Sequence, residues 1–239
     1  MRKLIAALVV LALLLVGADV AGRLIAQQKA SQALAARLDG DSDPSVRIHG
    51  FSFLWQAVRG DYGHVTATSN GLTLGPIHQV DAQVDLYDAA LPLSDALSGN
   101  VEHLTAQRAD LRAVIPGDQL AGFLQQPGMT FESAGDGMVR VHTTIAISGR
   151  TFPIVVDIDI SVTDDKLTLS ARPISAAGVQ VPAQIADDLK NRLTTDKIPL
   201  TALPFPLQSA DVAVQNGNLV LTASATKVDA QRLKWIAAG

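Results

Sequence analysis

Long alternation of apolar and polar residues is the sequence feature that most constrains how this chain can fold. It is clearest over residues 80–87, 139–147 and 152–162, where apolar side chains occupy nearly every second position. A period of two places successive side chains on opposite faces of a β-strand. Turn signals separate these stretches: Asn70-Gly71, Ser148-Gly149-Arg150, Asp164-Asp165 and Asn216-Gly217. The pattern predicts long antiparallel strands with one apolar and one polar face.

Helical spacing appears in fewer places. Residues 20–38 carry an apolar series that Gly40 follows, so we expect an amphipathic helix that packs through that series. The series consists of Val20, Leu24, Leu34 and Leu38. Three shorter helices are expected after prolines, at residues 93–97, 118–125 and 183–193. Together these elements predict an α+β fold, in which the N-terminal helix lies against the apolar side of an antiparallel sheet.

The amino terminus is typical of an export signal. Arg2 and Lys3 precede a fourteen-residue apolar run over residues 4–17. A signal-peptide core has about 7–15 apolar residues, whereas a spanning helix needs roughly 17–25. The run ends without a clear Ala-x-Ala site, so residues 1–18 are either a cleaved signal peptide or an uncleaved signal anchor. Both interpretations place residues 19–239, expected as a single domain, in the periplasm or cell envelope; in the second, residues 4–17 hold them at the plasma membrane.

Composition excludes several classes of function. The chain of 239 residues has no cysteine, which excludes disulfides, thiol catalysis and cysteine-ligated metals. Its formal net charge is −4 and its pI is about 5.7. Nucleic-acid binders usually carry a basic face and a high pI, so we expect no nucleic-acid partner. The charge also means that any contact with anionic lipid headgroups is local.

Catalytic motifs are not found in the sequence. It has no nucleophile elbow, P-loop, dinucleotide fingerprint or zinc-protease motif, and its five histidines lie in different segments. Asp157 and Asp159 share one strand face, where such a pair is usually a solvated exterior. We therefore expect no catalytic residue, no metal site and no cofactor.

Aromatic and basic residues are concentrated over residues 47–64, which contain four of the ten aromatic residues. Rings beside cations suit a membrane interface, whereas the alternative is a core corner in which the rings replace other large residues. The predicted lipid contacts are Phe51, Phe53, Leu54, Trp55, Val58 and Phe205, and the predicted headgroup contacts are Arg47 and Arg59. Phe205 belongs to Leu203-Pro204-Phe205-Pro206-Leu207, which forms either a rigid connector or part of an apolar mouth.

These segments together resemble the actinobacterial LmeA-like family, named for a lipomannan elongation factor. The resemblance covers nearly the whole chain and departs where proline is expected in place of Ser52. It rests on the leader and following helix, residues 45–54, Arg59-Gly60-x-Tyr62-Gly63-x-Val65, residues 91–95 and residues 203–207. It implies a TULIP-like fold, in which a long curved antiparallel sheet wraps around the helix and leaves an apolar groove. It also implies export, binding of phospholipid such as phosphatidylinositol, and support of lipoglycan elongation, with envelope mannosyltransferases as candidate partners.

Three functions remain open from sequence. The first is a non-catalytic phospholipid binder that meets the membrane surface. The second is a membrane-anchored scaffold for envelope biosynthesis that holds no lipid. The third is an envelope hydrolase or transferase whose site is assembled from separate strands, which would require a histidine, a serine and a carboxylate close together.

Overall fold

The structure, a computed structural model, describes the chain with several gaps. The described residues are 2–36, 38, 42–74, 77–98, 100–124, 128–135, 138–147, 150–163, 166–171, 175–176, 198–199 and 209–229. The predicted helix at residues 183–193 and Phe205 lie outside them. Within them the protein has an N-terminal helix, antiparallel β-sheets and a few short helices, so the predicted α+β class is confirmed.

The described residues form four helices and twelve strands. The helices are α1 (Arg2–Ala35), α2 (Phe53–Arg59), α3 (Leu93–Ser98) and α4 (Gly117–Phe123). The strands are β1 (Asp43–His49), β2 (Asp61–Leu74), β3 (Ile77–Ala90), β4 (Thr105–Ile115), β5 (Thr130–Gly135), β6 (Met138–Ile147), β7 (Arg150–Thr163), β8 (Lys166–Ala171), β9 (Ser175–Ala176), β10 (Ile198–Pro199), β11 (Ser209–Gln215) and β12 (Asn218–Asp229). The helices expected at 93–97 and 118–125 correspond to α3 and α4.

The strands form two sheets. One has the order β1-β2-β3-β4-β12-β11; the other has the order β10-β8-β7-β6-β5, with β9 paired to β7. The predicted hairpin at Asn216-Gly217 is confirmed, with Gln215 opposite Asn218 in an antiparallel pair. Asn216 and Gly217 both have positive φ, 53° and 77°, as a two-residue turn requires.

One predicted turn is wrong. Asn70-Gly71 lies inside β2, which continues through it to Leu74. Gly71 has a φ of 71°, so the glycine serves as an irregularity within the strand and not as its end. A local asparagine-glycine signal cannot distinguish these two uses, because both need a left-handed residue.

The chain divides into two compact units. Unit 1 comprises Met1–Ser69, Gln83–Ala109 and Thr226–Gly239, and unit 2 comprises Asn70–Ala82 and Asp110–Ala225. Helices α1, α2 and α3 belong to unit 1, and β5–β11 with α4 belong to unit 2. The expectation of a single domain stays a prediction.

Unit 2 contains a dense aliphatic core. The predicted alternation of β6 and β7 buries Val139, Val141, Ile154 and Val156, which are at most 2% exposed. Phe131 from β5 and Val212 from β11 complete the same cluster, and β11 packs against β5, β6 and β7. The strands of unit 2 therefore hold a packed interior of the kind that stabilises a domain without disulfides.

Unit 1 has a different interior. Its buried apolar residues are mostly alanines, and the five largest fully buried side chains of the described chain all lie in unit 2. The buried apolar residues of unit 1 are Phe53, Ala57, Tyr62, Ala89, Ala106, Ala109 and Val228. Unit 1 thus has few large buried side chains among its described residues.

The predicted packing face of helix α1 is only partly correct: Leu34, and Leu38 just beyond the helix, are partly buried. Val20 and Leu24 are 53% and 61% exposed, so the expectation that they face the sheet is wrong. The partly buried positions between residues 19 and 31 are Asp19, Gly22, Arg23, Ala26, Gln27, Ala30 and Ser31. The small residues let α1 approach its neighbours closely, and the polar residues form hydrogen bonds to β1 and α2. These contacts, and not a series of large apolar side chains, hold this part of α1 in place. α1 is also continuous across the expected boundary between leader and helix.

Candidate functional site

The segment from β1 through α2 holds most of the predicted lipid contacts. Ser52 caps α2, and its hydroxyl accepts a hydrogen bond from the backbone N–H of Trp55 at 3.2 Å. Gly60 ends the helix at a φ of 70°, where an added Cβ would lie 3.0 Å from the carbonyl oxygen of Leu91. Both helix ends are therefore fixed by local contacts, and α2 presents a defined face to solvent.

The structure separates the predicted lipid contacts into buried and exposed residues. Phe53 is 8% exposed and belongs to the core of unit 1. Phe51 is fully exposed, Trp55 is 64% exposed and Val58 is 73% exposed, with Leu54 at 36%. Phe53 therefore fills a core corner, as one alternative predicts, whereas Phe51 and Trp55 face outward and their contact with a membrane stays a prediction.

The predicted headgroup residues are both exposed. The Arg59 guanidinium lies 5.7 Å from the centroid of the Trp55 ring and 3.7 Å from a carboxylate oxygen of Asp61. Arg47 lies on β1, with its side chain exposed. An arginine beside an exposed tryptophan matches the ring-and-cation pairing expected at headgroup level.

Helix α1 is joined to the β1–α2 segment by four polar side chains at one-turn intervals. An oxygen of Asp19 accepts hydrogen bonds from the Ser52 hydroxyl and the Leu54 N–H, both at 2.8 Å. Nη2 of Arg23 donates to the carbonyl oxygens of Gly50 (2.9 Å) and Phe51 (3.2 Å). Farther along α1, Gln27 donates to the Ile48 carbonyl and Ser31 accepts from the Val46 N–H. We call these residues of α1 the clamp.

Asp19 is charged in the clamp. The hydrogen bond from the Leu54 N–H is the largest cause that lowers the pKa of Asp19, and Ser52 and Arg23 act in the same direction against the cost of desolvation. Ser52 stands where the family resemblance leads us to expect proline. It both caps α2 and donates to Asp19, which a proline side chain cannot do.

A row of stacked side chains crosses the polar face of β1, β2, β3 and β4 in unit 1. The rings of His49 and His64 stack with centroids 4.3 Å apart, and His64 stacks on Tyr87 at 4.7 Å. The guanidinium of Arg108 lies 4.7 Å from the Tyr87 centroid. The sequence does not reveal this row, because its four residues come from four strands; alternation over residues 80–87 indicates only which face of β3 carries Tyr87.

The carboxylate of Asp85, next to His64 of this row, accepts hydrogen bonds from three side chains. It accepts from Thr66 and Gln83, both at 2.6 Å, and from His64 at 2.9 Å. Burial raises the pKa of Asp85, but these hydrogen bonds outweigh it, so the net shift lowers the pKa. The carboxylate is thus held charged on a partly buried sheet face.

A hydroxyl, a histidine and a carboxylate meet at this point, which is the combination that nucleophilic catalysis uses. In that chemistry the histidine takes the hydroxyl proton on one ring nitrogen and is oriented by the carboxylate through the other. Here Thr66 donates to Asp85 itself, and Nε2 of His64 faces both Thr66 (3.3 Å) and Asp85 (2.9 Å). These hydrogen bonds tie β2 to β3, and the Thr66 hydroxyl also lies 3.0 Å from Nε2 of His49 on β1. Among the described residues no group of three His, Cys, Asp or Glu side chains could hold a metal.

The opposite face of these strands carries apolar residues that are only partly covered. Alternation places Val65, Val84 and Leu86 away from His64, Asp85 and Tyr87, and all three are half-buried. A pocket in unit 1 lies elsewhere and is charged, with Asp61, Asp88 and Lys227 among its lining residues. The partly covered apolar face, and not this pocket, has the character of a surface for acyl chains.

The fold and these surfaces define an α+β lipid-binding protein. It has a sheet with a partly covered apolar face, few large buried side chains among the described residues of unit 1, and exposed aromatic residues beside arginine. Comparison with known families gives the same class. The LmeA-like phospholipid-binding family matches residues 17–224, and the chain belongs to that family. No curated protein and no solved structure matches significantly. No helix in the described part of the chain has the length and hydropathy needed to cross a membrane.

Proposed function

We propose that the protein is an exported, non-catalytic phospholipid binder of the bacterial cell envelope. The acyl chains of the bound phospholipid lie in an apolar groove between α1 and the apolar face of the sheet in unit 1. The headgroup of the phospholipid lies near Arg47 and Arg59. The preferred lipid is of the phosphatidylinositol type. Lipid is taken from a membrane surface and supports lipoglycan elongation, with envelope mannosyltransferases as users of the bound lipid.

One observation carries this proposal beyond family membership. Large side chains fill the interior of unit 2, whereas unit 1 is lined by alanines and leaves Val65, Val84 and Leu86 half-buried. The described protein atoms cover this apolar face incompletely. A ligand that covers it is stabilised by about 25 cal/mol of binding free energy for each Å² of apolar surface removed from water. Acyl chains are the ligand chemistry that suits such a face, and each buried methylene contributes about 0.8 kcal/mol.

The scaffold hypothesis is the alternative that a specific observation favours. Helix α1 continues without a break from the apolar run into the folded part, as a permanent anchor would. In that case the half-buried apolar face would hold no lipid.

Native mass spectrometry of the full chain, purified in detergent from a bacterial host, separates these hypotheses. We expect one phospholipid per protein, identified after extraction, and enrichment of phosphatidylinositol from a defined lipid mixture. Val84→Trp should fill the apolar face and reduce lipid occupancy, whereas Phe123→Trp, at an exposed position on α4 in unit 2, should leave it unchanged. An empty protein that takes no lipid from the mixture would favour the scaffold.

A further inference from the structure

Residues 12–18 of α1 are exposed on every side of the helix. All side chains from residue 12 to residue 18 are exposed, and none is polar; Leu13, Leu14 and Val16 are each more than 60% exposed. A helix that is apolar all round belongs in a large protein core or in a membrane. Burial begins at Asp19, so the folded part of unit 1 ends at this turn of α1.

The clamp places the exposed aromatic residues at that same turn. Asp19 bonds to Ser52 and to the backbone of Leu54, and Arg23 bonds to the carbonyl oxygen of Phe51. An added Cβ on Gly22 would lie 3.3 Å from the Phe53 ring, so the two helices are also in close contact. Phe51 and the first turn of α2 therefore lie beside the turn of α1 at which its exposed apolar residues give way to partly buried ones.

The charges around this turn suit an anionic lipid surface more than a protein partner. Arg59 lies against Trp55, and Arg47 is exposed on β1. Asp19 is occupied by hydrogen bonds, and the exposed Asp61 is paired with Arg59. Aromatic rings and arginines around an apolar helix are the arrangement found at headgroup level.

We propose that α2 docks on the surface of an anionic phospholipid bilayer at the point where residues 4–18 enter it, with Phe51, Leu54 and Trp55 at headgroup level and the clamp holding α1 and α2 in that arrangement. This inference rests on the proposed function, since the docked surface is where lipid would be taken up. It adds the surface that meets the membrane and the residues that orient it.

Fluorescence of Trp55 tests this docking in the full chain. Trp235→Phe leaves Trp55 as the only tryptophan, and vesicles of phosphatidylglycerol and phosphatidylcholine carry bromines either near the headgroup or near the acyl-chain end. We expect a blue shift of Trp55 emission on vesicles, with stronger quenching by the shallow bromines. Asp19→Ala, made in the same background, should lose most of this quenching while the protein still floats with the vesicles through residues 4–18.

Two further variants keep the test independent of any misfolding of Asp19→Ala. Phe51 is fully exposed, so Phe51→Ala should leave the circular dichroism spectrum unchanged and weaken the quenching. Phe123→Ala, a matched exposed aromatic in unit 2, should leave the quenching unchanged. The docking would be overturned if Trp55 stayed unquenched while the protein was bound to vesicles. It would also be overturned if neither Phe51→Ala nor Asp19→Ala reduced the quenching.

Two outcomes separate this inference from the proposed function. Quenching that persists after the vesicles are removed by sedimentation reports a carried lipid and not a bilayer, and overturns the docking alone. Quenching on vesicles by a protein that native mass spectrometry finds empty supports the docking and overturns lipid binding alone.

Discussion

Single polar side chains decide the local structure of the candidate site. Ser52 joins two elements through one hydroxyl, which accepts from Trp55 and donates to Asp19. Asp85 plays a comparable part on the sheet, where it accepts from Thr66, Gln83 and His64. Both residues act through hydrogen bonds that are partly shielded from water, so removing either leaves partners without a bond.

Replacing Ser52 by alanine removes the cap of α2 and one bond of the clamp. We expect the free energy of unfolding to fall by about 1 kcal/mol, because that is the usual cost of losing a serine cap. Urea unfolding followed by circular dichroism measures it. Ser94→Ala, at an exposed position in α3, should change the same quantity by less than about 0.5 kcal/mol. Equal effects for the two variants would contradict the capping role.

Acid should lower the free energy of unfolding by protonating Asp85. Because the pKa of Asp85 is lowered in the folded state, its contribution to stability is present above the ordinary carboxyl value, about 3.9, and is lost as the pH falls through the lower folded value. Asp19 adds a contribution of the same sign. We expect Asp85→Asn to flatten the fall in unfolding free energy between neutral and acidic pH, measured by urea titrations. Glu102→Gln, at an exposed turn, should keep the wild-type slope.

At the scale of elements, α1 shows how close approach can replace an apolar face. Between residues 19 and 31 its packed side is made of glycine, alanine and hydrogen-bonding residues, whereas Val20, Leu24 and Ile25 face outward. Small residues let α1 approach α2 closely enough for Asp19 to reach the Leu54 N–H. Periodicity of large apolar residues cannot reveal such a face, since it is defined by the absence of bulk.

Enlarging Gly22 should separate α1 from α2. An added Cβ there already lies 3.3 Å from the Phe53 ring, so Gly22→Leu forces these elements apart. We expect a loss of about 1–3 kcal/mol in unfolding free energy, the usual cost of overpacking. Gly17→Leu is the matched control, because no atom lies within 4 Å of its added Cβ. A Gly22→Leu variant as stable as Gly17→Leu would show that the helices do not pack closely.

At the scale of the whole molecule, the large packed core and the partly covered apolar face lie in different units. The large aliphatic side chains fill unit 2, and the partly covered apolar face lies in unit 1. With no cysteine in the chain, packing carries the stability that disulfides supply in many exported proteins. With an overall charge of −4, the proposed attraction to anionic lipid depends on local cations such as Arg47 and Arg59.

Truncating the core of unit 2 should cost stability in proportion to burial. Phe131 is 4% exposed and belongs to the central cluster, so Phe131→Ala should lower the unfolding free energy by about 3–5 kcal/mol. Phe123, 47% exposed on α4, loses little burial when truncated, and Phe123→Ala should have a much smaller effect. Thermal and urea unfolding of both variants measure the difference; similar losses would place Phe131 outside a packed core.

The sequence by itself determined the fold class, the main strands of unit 2, the hairpin at Asn216-Gly217 and the two short helices after proline. These follow from contacts between near neighbours: side-chain alternation, backbone conformation at glycine and the fixed φ of proline. The family resemblance, drawn from the order of several short segments, was also readable from sequence and is confirmed over residues 17–224.

Only the tertiary structure decided which candidate residues face outward and what joins them. The three aromatic residues are two positions apart, at Phe51, Phe53 and Trp55. A helix begins at Phe53, whose ring is buried, whereas the rings of Phe51 and Trp55 are exposed. That helix depends on a cap from Ser52 and on Asp19, which lies 33 residues earlier. The row from His49 to Arg108 likewise needs four strands side by side. Such contacts join residues distant in sequence, and no local pattern encodes them.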